Sequence, residues 1–280
     1  TEEYKKNRNQ LFTKDIETRS LLVDTNNIQK TSNFNTNDYT YNLFSENNNT
    51  DQNTTGGYDS YKNVIGFRLI RAIIPNTAYT INDMNDTLSF TISSTNNTQT
   101  LTKGYYTLDN LANAFPTGGL DTIQKSMITY DSTTHKFTIN YGSNITYNWD
   151  TNDKTKNAAR LFGFYPVESS TDTSHTSDFV PDMSNHFVDV VVDEIPKIAC
   201  KDNPTGKNTI ERIYMNNDYG SMKIHESIIY GEQNYFYPIT LEKLSIKLYS
   251  DDGKTLYDSQ KANHSFEFEI TTLKNTELVR

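Results

Sequence analysis

The run Val64-Ile65-Gly66-Phe67-Arg68-Leu69-Ile70-Arg71-Ala72-Ile73-Ile74-Pro75-Asn76-Thr77 constrains this chain more than any other segment. Its β-branched side chains suit a pleated, half-buried surface, so it is read as a strand and not a helix. Pro75 has no N–H to continue a ladder and Asn76 tolerates turn dihedrals, so the strand stops there. Gly66 and the two arginines predict a bend, with Arg68 and Arg71 leaving the core at the sheet edge or against a neighbouring subunit. The same pattern of short β segments and polar turns repeats along the chain.

With 280 residues the chain has room for one large β domain or two smaller ones. Only 34% of residues are hydrophobic, but 19 Tyr and 14 Phe supply the area that a core needs. A net charge of −9, from 35 acidic against 26 basic residues, argues against a nucleic-acid surface, which needs a basic stripe. The single cysteine, Cys200, excludes an internal disulfide and leaves stability to packing or assembly. That fits assembly in a reducing cytoplasm. No apolar run approaches the roughly 20 residues of a membrane helix, and no signal-peptide pattern is read.

Residues 1–18 are polar, with Leu11, Phe12 and Ile16 as apolar anchors, and are read as an arm that orders against a partner. Leu21–Asp24 is a short strand, and Tyr39, Tyr41 and Leu43 alternate on one face of a second. The Asn/Thr/Gly-rich stretch from Ser45 to Gly57 is a surface loop. Leu88–Ser93 pairs back with Gln99–Leu101 across Ser94-Thr95-Asn96-Asn97. Leu108, Leu111, Ala112 and Phe115 take helical spacing after Thr107, and Pro116 stops that helix. Ser126–Tyr130 and His135–Tyr141 form a hairpin around Asp131-Ser132-Thr133-Thr134, followed by a strand at Ile145–Trp149. A short helix at Thr155–Phe162 closes on Gly163.

From Phe187 to Ile195 the strand character returns. Glu211–Met215 and Ser221–Ile224 are predicted to form a hairpin around Asn216-Asn217-Asp218-Tyr219-Gly220. Leu241–Tyr249 pairs with Thr255–Tyr257 or with a later segment. His264–Ile270 turns Phe266, Phe268 and Ile270 inward and Glu267 and Glu269 outward. About eight strands lie outside the middle block. The expected fold is therefore mainly β: a single eight-stranded antiparallel jelly-roll sandwich with an inserted small α+β domain. The expected divisions are an arm (1–18), the first part of the jelly roll (19–81), the insertion (82–180) and the second part (181–280).

Catalytic signatures do not emerge. There is no Gly-rich phosphate loop, G-x-S-x-G turn or ligand-spaced histidine pair among His135, His175, His186, His225 and His264. Lys201 beside Cys200 would lower the thiol pKa, but no partner histidine is identifiable and an isolated cysteine is read as structural. Asn216–Gly220 and Asp251-Asp252-Gly253 are hairpin turns lacking calcium-loop spacing. Asp189 and Asp193 sit four residues apart on one strand, roughly 13 Å at the strand rise, too far for a glycosidase pair. The chain is read as a non-enzyme with no catalytic residue, cofactor or metal.

Several segments together resemble capsid proteins of large nucleocytoplasmic DNA viruses. They are Ser20–Thr25, Asn37-Asp38-Tyr39-Thr40-Tyr41, Ile74-Pro75-Asn76-Thr77, Tyr79-Thr80-Ile81-Asn82, Gly104–Leu111 and Leu161-Phe162-Gly163-Phe164. The resemblance covers about 20–270 and is strongest to the single-jelly-roll penton protein of the five-fold vertices. It implies a homopentamer at each vertex of an icosahedral double-stranded DNA virus, contacting major and minor capsid proteins. It also implies a virion location, assembly in the host cytoplasm, and an outward insertion domain able to meet a host receptor or glycan.

Arg68 and Arg71, opposed by Asp189, Asp193 and Glu194, are candidates for a charged seam between subunits. Trp149 is the candidate for stacking on a sugar. The competing readings are a minor capsid or cement protein, a fibre-like receptor- or glycan-binding module, and a glycan-cleaving sandwich using Asp189 or Glu194.

Overall fold

The structure is a computed structural model that describes residues 16–28, 34–43, 60–149, 158–183, 185–227 and 234–274. The predicted arm up to residue 15, the Ser45–Gly57 loop and the start of the Thr155–Phe162 helix lie outside them. The chain divides into two compact units, Thr1–Ala78 with Asn185–Arg280, and Tyr79–Ser184. The second unit starts earlier than residue 82 because Thr80 donates its hydroxyl to the Tyr106 carbonyl and Ile81 bridges Gly104.

The first unit contains β1 (Ile16–Asp24), β2 (Asp38–Asn42) and β3 (Tyr61–Pro75), then β9 (Phe187–Val192), β10 (Thr209–Tyr214) and β11 (Met222–Glu226). It ends with β12 (Ile239–Leu241), β13 (Lys243–Tyr249) and β14 (Ser265–Leu273). One antiparallel sheet has the order β1-β14-β3-β11, with β12 also on β3. The other has the order β10-β9-β13-β2. Both contribute to one buried cluster: Val23, Phe67, Leu69, Phe266 and Phe268 from the first, Tyr39, Val190, Ile213, Leu244 and Ile246 from the second. Phe67 stacks on Phe268 with ring centroids 5.0 Å apart.

The apolar run that opens the sequence analysis does not alternate, and the ladder explains why. Opposite β14, the pairing jumps from Arg71 to Leu69 and again from Gly66 to Val64, leaving Ile70 and Ile65 as extra residues. Each such bulge resets which parity faces inward. Val64, then Phe67 and Leu69, then Ala72 and Ile74 all reach the same core despite their mixed parity. Without the two bulges half of this strand's apolar side chains would face outward.

Polar contacts close one end of this unit. Tyr257 donates its hydroxyl to the Pro75 carbonyl at 2.8 Å, and burial pushes that phenol up to about 12. Thr77 donates to the Ser259 carbonyl at 2.6 Å, and Tyr39 and His264 share a hydrogen bond of 2.9 Å.

One predicted pairing is corrected. Glu211–Met215 and Ser221–Ile224 do not form a hairpin: β10 pairs with β9, whereas β11 pairs with β3 in the other sheet. The intervening turn is held against the end of β3, where Asn76 donates its side chain to the Asn217 carbonyl and its N–H to the Ser221 carbonyl. Alternation within a strand does not reveal which sheet the next strand joins. β13 pairs along its length with β2 and β9, and at its end pairs back with the 255–257 segment as expected: Tyr249 bridges Leu256, and the Ser250 and Tyr257 N–H groups donate to the Thr255 and Leu248 carbonyls.

In the second unit, β4 (Thr87–Ile92), β5 (Thr95–Thr100), β6 (Ile128–Asp131), β7 (Lys136–Tyr147) and β8 (Asp172–Thr176) form an antiparallel sheet of order β5-β4-β7-β6, with β8 on β7. The β4–β5 turn is Ser93-Ser94, two residues earlier in reach than expected, with φ of 49° and 67°. Two positive φ values match the twist of a two-residue hairpin. Leu108–Ala114 is a 3₁₀ helix and not an α-helix. Leu108, Leu111 and Ala114 recur every three residues, the repeat of that tighter helix. A one-turn helix, α1 (Ala159–Phe162), ends at Gly163 with φ of 80°. A Cβ there would lie 2.1 Å from the Phe179 carbonyl oxygen, so only glycine fits.

Deleting Ile70 should leave the first unit able to unfold cooperatively, because without the extra residue Phe67, Leu69 and Ala72 fall into strict alternation opposite β14. Ile70→Ala keeps the extra residue and should cost only about 1–2 kcal/mol. Urea denaturation checks both variants; a deletion that abolishes cooperative unfolding contradicts the bulge account.

Candidate interaction surfaces

Arg68 and Arg71 leave the core through the outer face of an interior strand, since β3 lies between β14 and β11; their expected place at a sheet edge is corrected. Arg68 stands opposite Glu269 and pairs with it at 2.5 Å. Arg71 stands opposite Glu267, 3.9 Å away, and reaches Glu226 of β11 at 3.2 Å. The three-residue spacing of the arginines faces the two-residue spacing of the glutamates because Ile70 is bulged out. That mismatch was readable in the sequence once the strands were paired. Leu22 and Ile224, 67% and 63% exposed, lie on strands at either side of this charged ladder.

Asp189, Asp193 and Glu194 belong to the other sheet and its turn, and the structure brings none of them to Arg68 or Arg71 among the described residues. Asp189 is 4% exposed and is held by both arms of Arg212, Nε donating to Oδ1 at 2.7 Å and a terminal nitrogen to Oδ2 at 2.8 Å. The hydrogen bond to Asp189 pushes the Arg212 guanidinium pKa further up. The same guanidinium lies 3.6 Å over the Phe187 ring. Lys247 donates to Asp193 at 2.7 Å, and Glu194 accepts from both the N–H and the hydroxyl of Ser245. All five candidate interface residues thus have partners inside the chain. Arg212 was missed from sequence, although Glu211-Arg212 within a strand facing an aspartate-bearing strand is the signal that could have found it.

Trp149 is corrected from a ligand platform to a core residue. It is 2% exposed and stacks on Tyr147 and on Phe164, each with centroids 5.2 Å away. Ile145, Tyr147 and Trp149 alternate, and all three are buried. Burial raises the Tyr147 phenol far above its usual range. An aromatic pair that does reach the surface of this unit is Tyr165, 58% exposed, set edge-on to the half-buried Phe179 at 5.3 Å. Asp178 accepts the Tyr165 N–H beside it.

Cys200 keeps its structural reading, while the expected lowering of its thiol pKa is reversed. Burial pushes its thiol up to about 11 against the smaller opposing effect of Lys197, and its Sγ lies 3.5 Å from the Pro196 carbonyl oxygen. The protonated thiol is therefore the favoured form.

At the end of the first unit near Tyr257, the segments Phe34–Asn37 and Leu256–Lys261 enclose a cleft of about 360 Å³. Asn37 is 4% exposed, and its Oδ1 is buried without a hydrogen-bond donor among the described residues. Its backbone is satisfied: the N–H donates to Asn35 Oδ1 and the carbonyl accepts from Leu248.

No family model and no curated protein matches the chain. The solved structures to which it is similar include the following two. The crystal structure of the mavirus penton protein is 9% identical and aligns over 93% of this chain and 100% of that chain with a TM-score of 0.42. A chain of the Sputnik virophage, solved by cryo-EM, is 9% identical and aligns over 92% of this chain and 98% of that one with a TM-score of 0.38.

Arg212→Ala should destabilise the first unit by about 3 kcal/mol, because it strands a buried carboxylate. Arg71→Ala, at an exposed pair, should cost less than about 1 kcal/mol. Denaturant unfolding of both variants checks the contrast, and equal losses contradict it.

Proposed function

We propose that the chain is a structural capsid protein that forms the pentameric vertex of an icosahedral double-stranded DNA virus. Its body in this reading is an eight-stranded jelly roll, with Tyr79–Ser184 as an inserted α+β domain. The observation that carries the reading is the pairing order. Taking β1, β2, β3, β9, β10, β11, β13 and β14 as first to eighth, the first pairs with the eighth and the second with the seventh. The third pairs with the sixth and the fourth with the fifth. Rolling up one long hairpin gives this order, the plan of jelly rolls in viral capsids and lectins.

The step from that plan to a capsid is by analogy, and the residues supply its second support. Those that carry the sequence resemblance do structural work: Tyr39 and Tyr41 are core residues, Pro75 and Asn76 tie down the end of β3, and Gly163 closes α1 where no other residue fits. The interior between the sheets is filled by side chains such as Phe67, Leu244 and Phe268. A head-to-tail contact between copies closes into a ring without self-complementary surfaces. Neighbouring major and minor capsid proteins are then its partners, the virion its location and the host cytoplasm its place of assembly.

Mass photometry of the purified chain should give a species of five times 32.1 kDa. A monomer at micromolar concentration overturns the vertex role and favours a cement protein of the same particle.

A second reading, glycan or receptor binding through Tyr79–Ser184, is favoured by the exposed Tyr165–Phe179 pair beside the Asp178 carboxylate. Aromatic rings with an adjacent acceptor suit the apolar face and hydroxyls of a sugar. Binding on a glycan array that falls at least tenfold in Tyr165→Ala supports it; no binding, or binding unchanged by that substitution, refutes it.

A further inference from the structure

We propose that the cleft between Phe34–Asn37 and Leu256–Lys261 receives the Leu11-Phe12 segment of a neighbouring copy of this chain. The inference rests on the assembly reading above and names one contact within it.

The cleft has the character of a peptide site. Its volume of about 360 Å³ falls in the range of small-ligand pockets. Phe34 and Leu256 give it apolar wall, and Asn37 gives it an acceptor that is buried and unmatched among the described residues. A buried acceptor without a donor is costly, so an occupant that brings an N–H stabilises the site. An extended peptide brings backbone N–H groups together with apolar side chains.

The chain contains a suitable segment. Leu11 and Phe12 are adjacent apolar residues in an otherwise polar stretch, flanked by the cations Arg8 and Lys14. The charged residues that line the cleft are Asp258 and Lys261, one of each sign, so the apolar wall and the unmatched acceptor, and not net charge, favour the segment.

Reach decides between the chain's own segment and a neighbour's. The cleft lies at the end of the sandwich where β1 finishes, because Thr25 bonds to His264, His264 to Tyr39, and Thr36 to Ser259. Ile16 begins the same strand at the opposite end. Eight residue steps separate Ile16 from Asp24, roughly 26 Å at the rise of a strand. Leu11 precedes Ile16 by five residues and so extends at most about 17 Å from it. The apolar pair cannot reach its own cleft and must enter that of another copy.

Full-length chain carrying Leu11→Cys and Lys261→Cys in a Cys200→Ser background tests this with a short bismaleimide. A ladder of covalent oligomers on a denaturing gel is expected, absent from the Leu11→Cys single variant. A tenfold excess of a peptide of residues 5–15 should reduce the ladder several-fold, and a scrambled peptide should not. An internally cross-linked monomer, a ladder insensitive to the peptide, or no cross-link in a folded chain overturns the proposal. A pentamer without the ladder refutes this contact alone, whereas a monomer by mass photometry refutes the assembly reading as well.

Discussion

Strand β3 has to present one apolar face to the core along fifteen residues while hydrogen-bonding to β14, β11 and β12. A regular strand would do this by strict alternation, at the expense of the twist that a sandwich needs. Here Ile65 and Ile70 are inserted as bulges, so the local twist increases and the inward parity is restored after each. The ladder to β14 then sets where Phe266, Phe268 and Ile270 fall, and the stacked Phe67–Phe268 pair fixes the middle of the core. The pairing of β11 and β12 against the same strand depends on the same register.

That register also decides the electrostatics. Because the arginines of β3 meet the glutamates of β14 and β11, the outer face of this sheet carries alternating charges that cancel locally. Exposed pairs of this kind contribute little stability and are screened by salt. On the other sheet the Asp189–Arg212 pair is largely desolvated, so its geometry is held by two hydrogen bonds and a ring contact. A contact between copies therefore cannot draw on these charges without breaking existing pairs. Apolar residues such as Leu22 and Ile224 and polar groups left unmatched inside clefts are the surfaces with free energy to give. The edge strand β11 directs Lys223 and His225 to its other face, a device that discourages indiscriminate edge-to-edge pairing. Burial lowers the His225 pKa, which favours the neutral ring there.

Much of this was legible in the residues. Period-two alternation placed Tyr39, Tyr41 and Leu43, and Phe266, Phe268 and Ile270, correctly in the core, and Pro75 marked the end of β3. The legible features were local: dihedral limits, alternation and caps. The errors came where long-range pairing overrides local pattern. Nothing between Met215 and Met222 announces that the chain changes sheet, and nothing beside Arg68 announces that β3 is interior. Candidate sites were harder still, because a surface role was assigned to Trp149 for its chemistry alone. Its alternation with Ile145 and Tyr147 pointed inward and was the better guide. Asn37 and the Leu256–Lys261 turn lie far apart in sequence, so a cleft between them has no linear signature.

Two-sided burial shows why chemistry alone misleads here. In β9, Val188, Val190 and Val192 enter the core, yet Asp189 and Val191 on the opposite face are also buried. A continuous Val run interrupted by one aspartate invites an enzymatic interpretation, since an isolated carboxylate among apolar residues is costly. The cost is offset once Arg212, one strand away, lays its guanidinium along Asp189 and its plane on Phe187. The side chain that makes the carboxylate tolerable also covers it, leaving no room for a substrate. Burial, pairing and the lack of access at Asp189 are one arrangement, in which the polar groups are spent on holding shape.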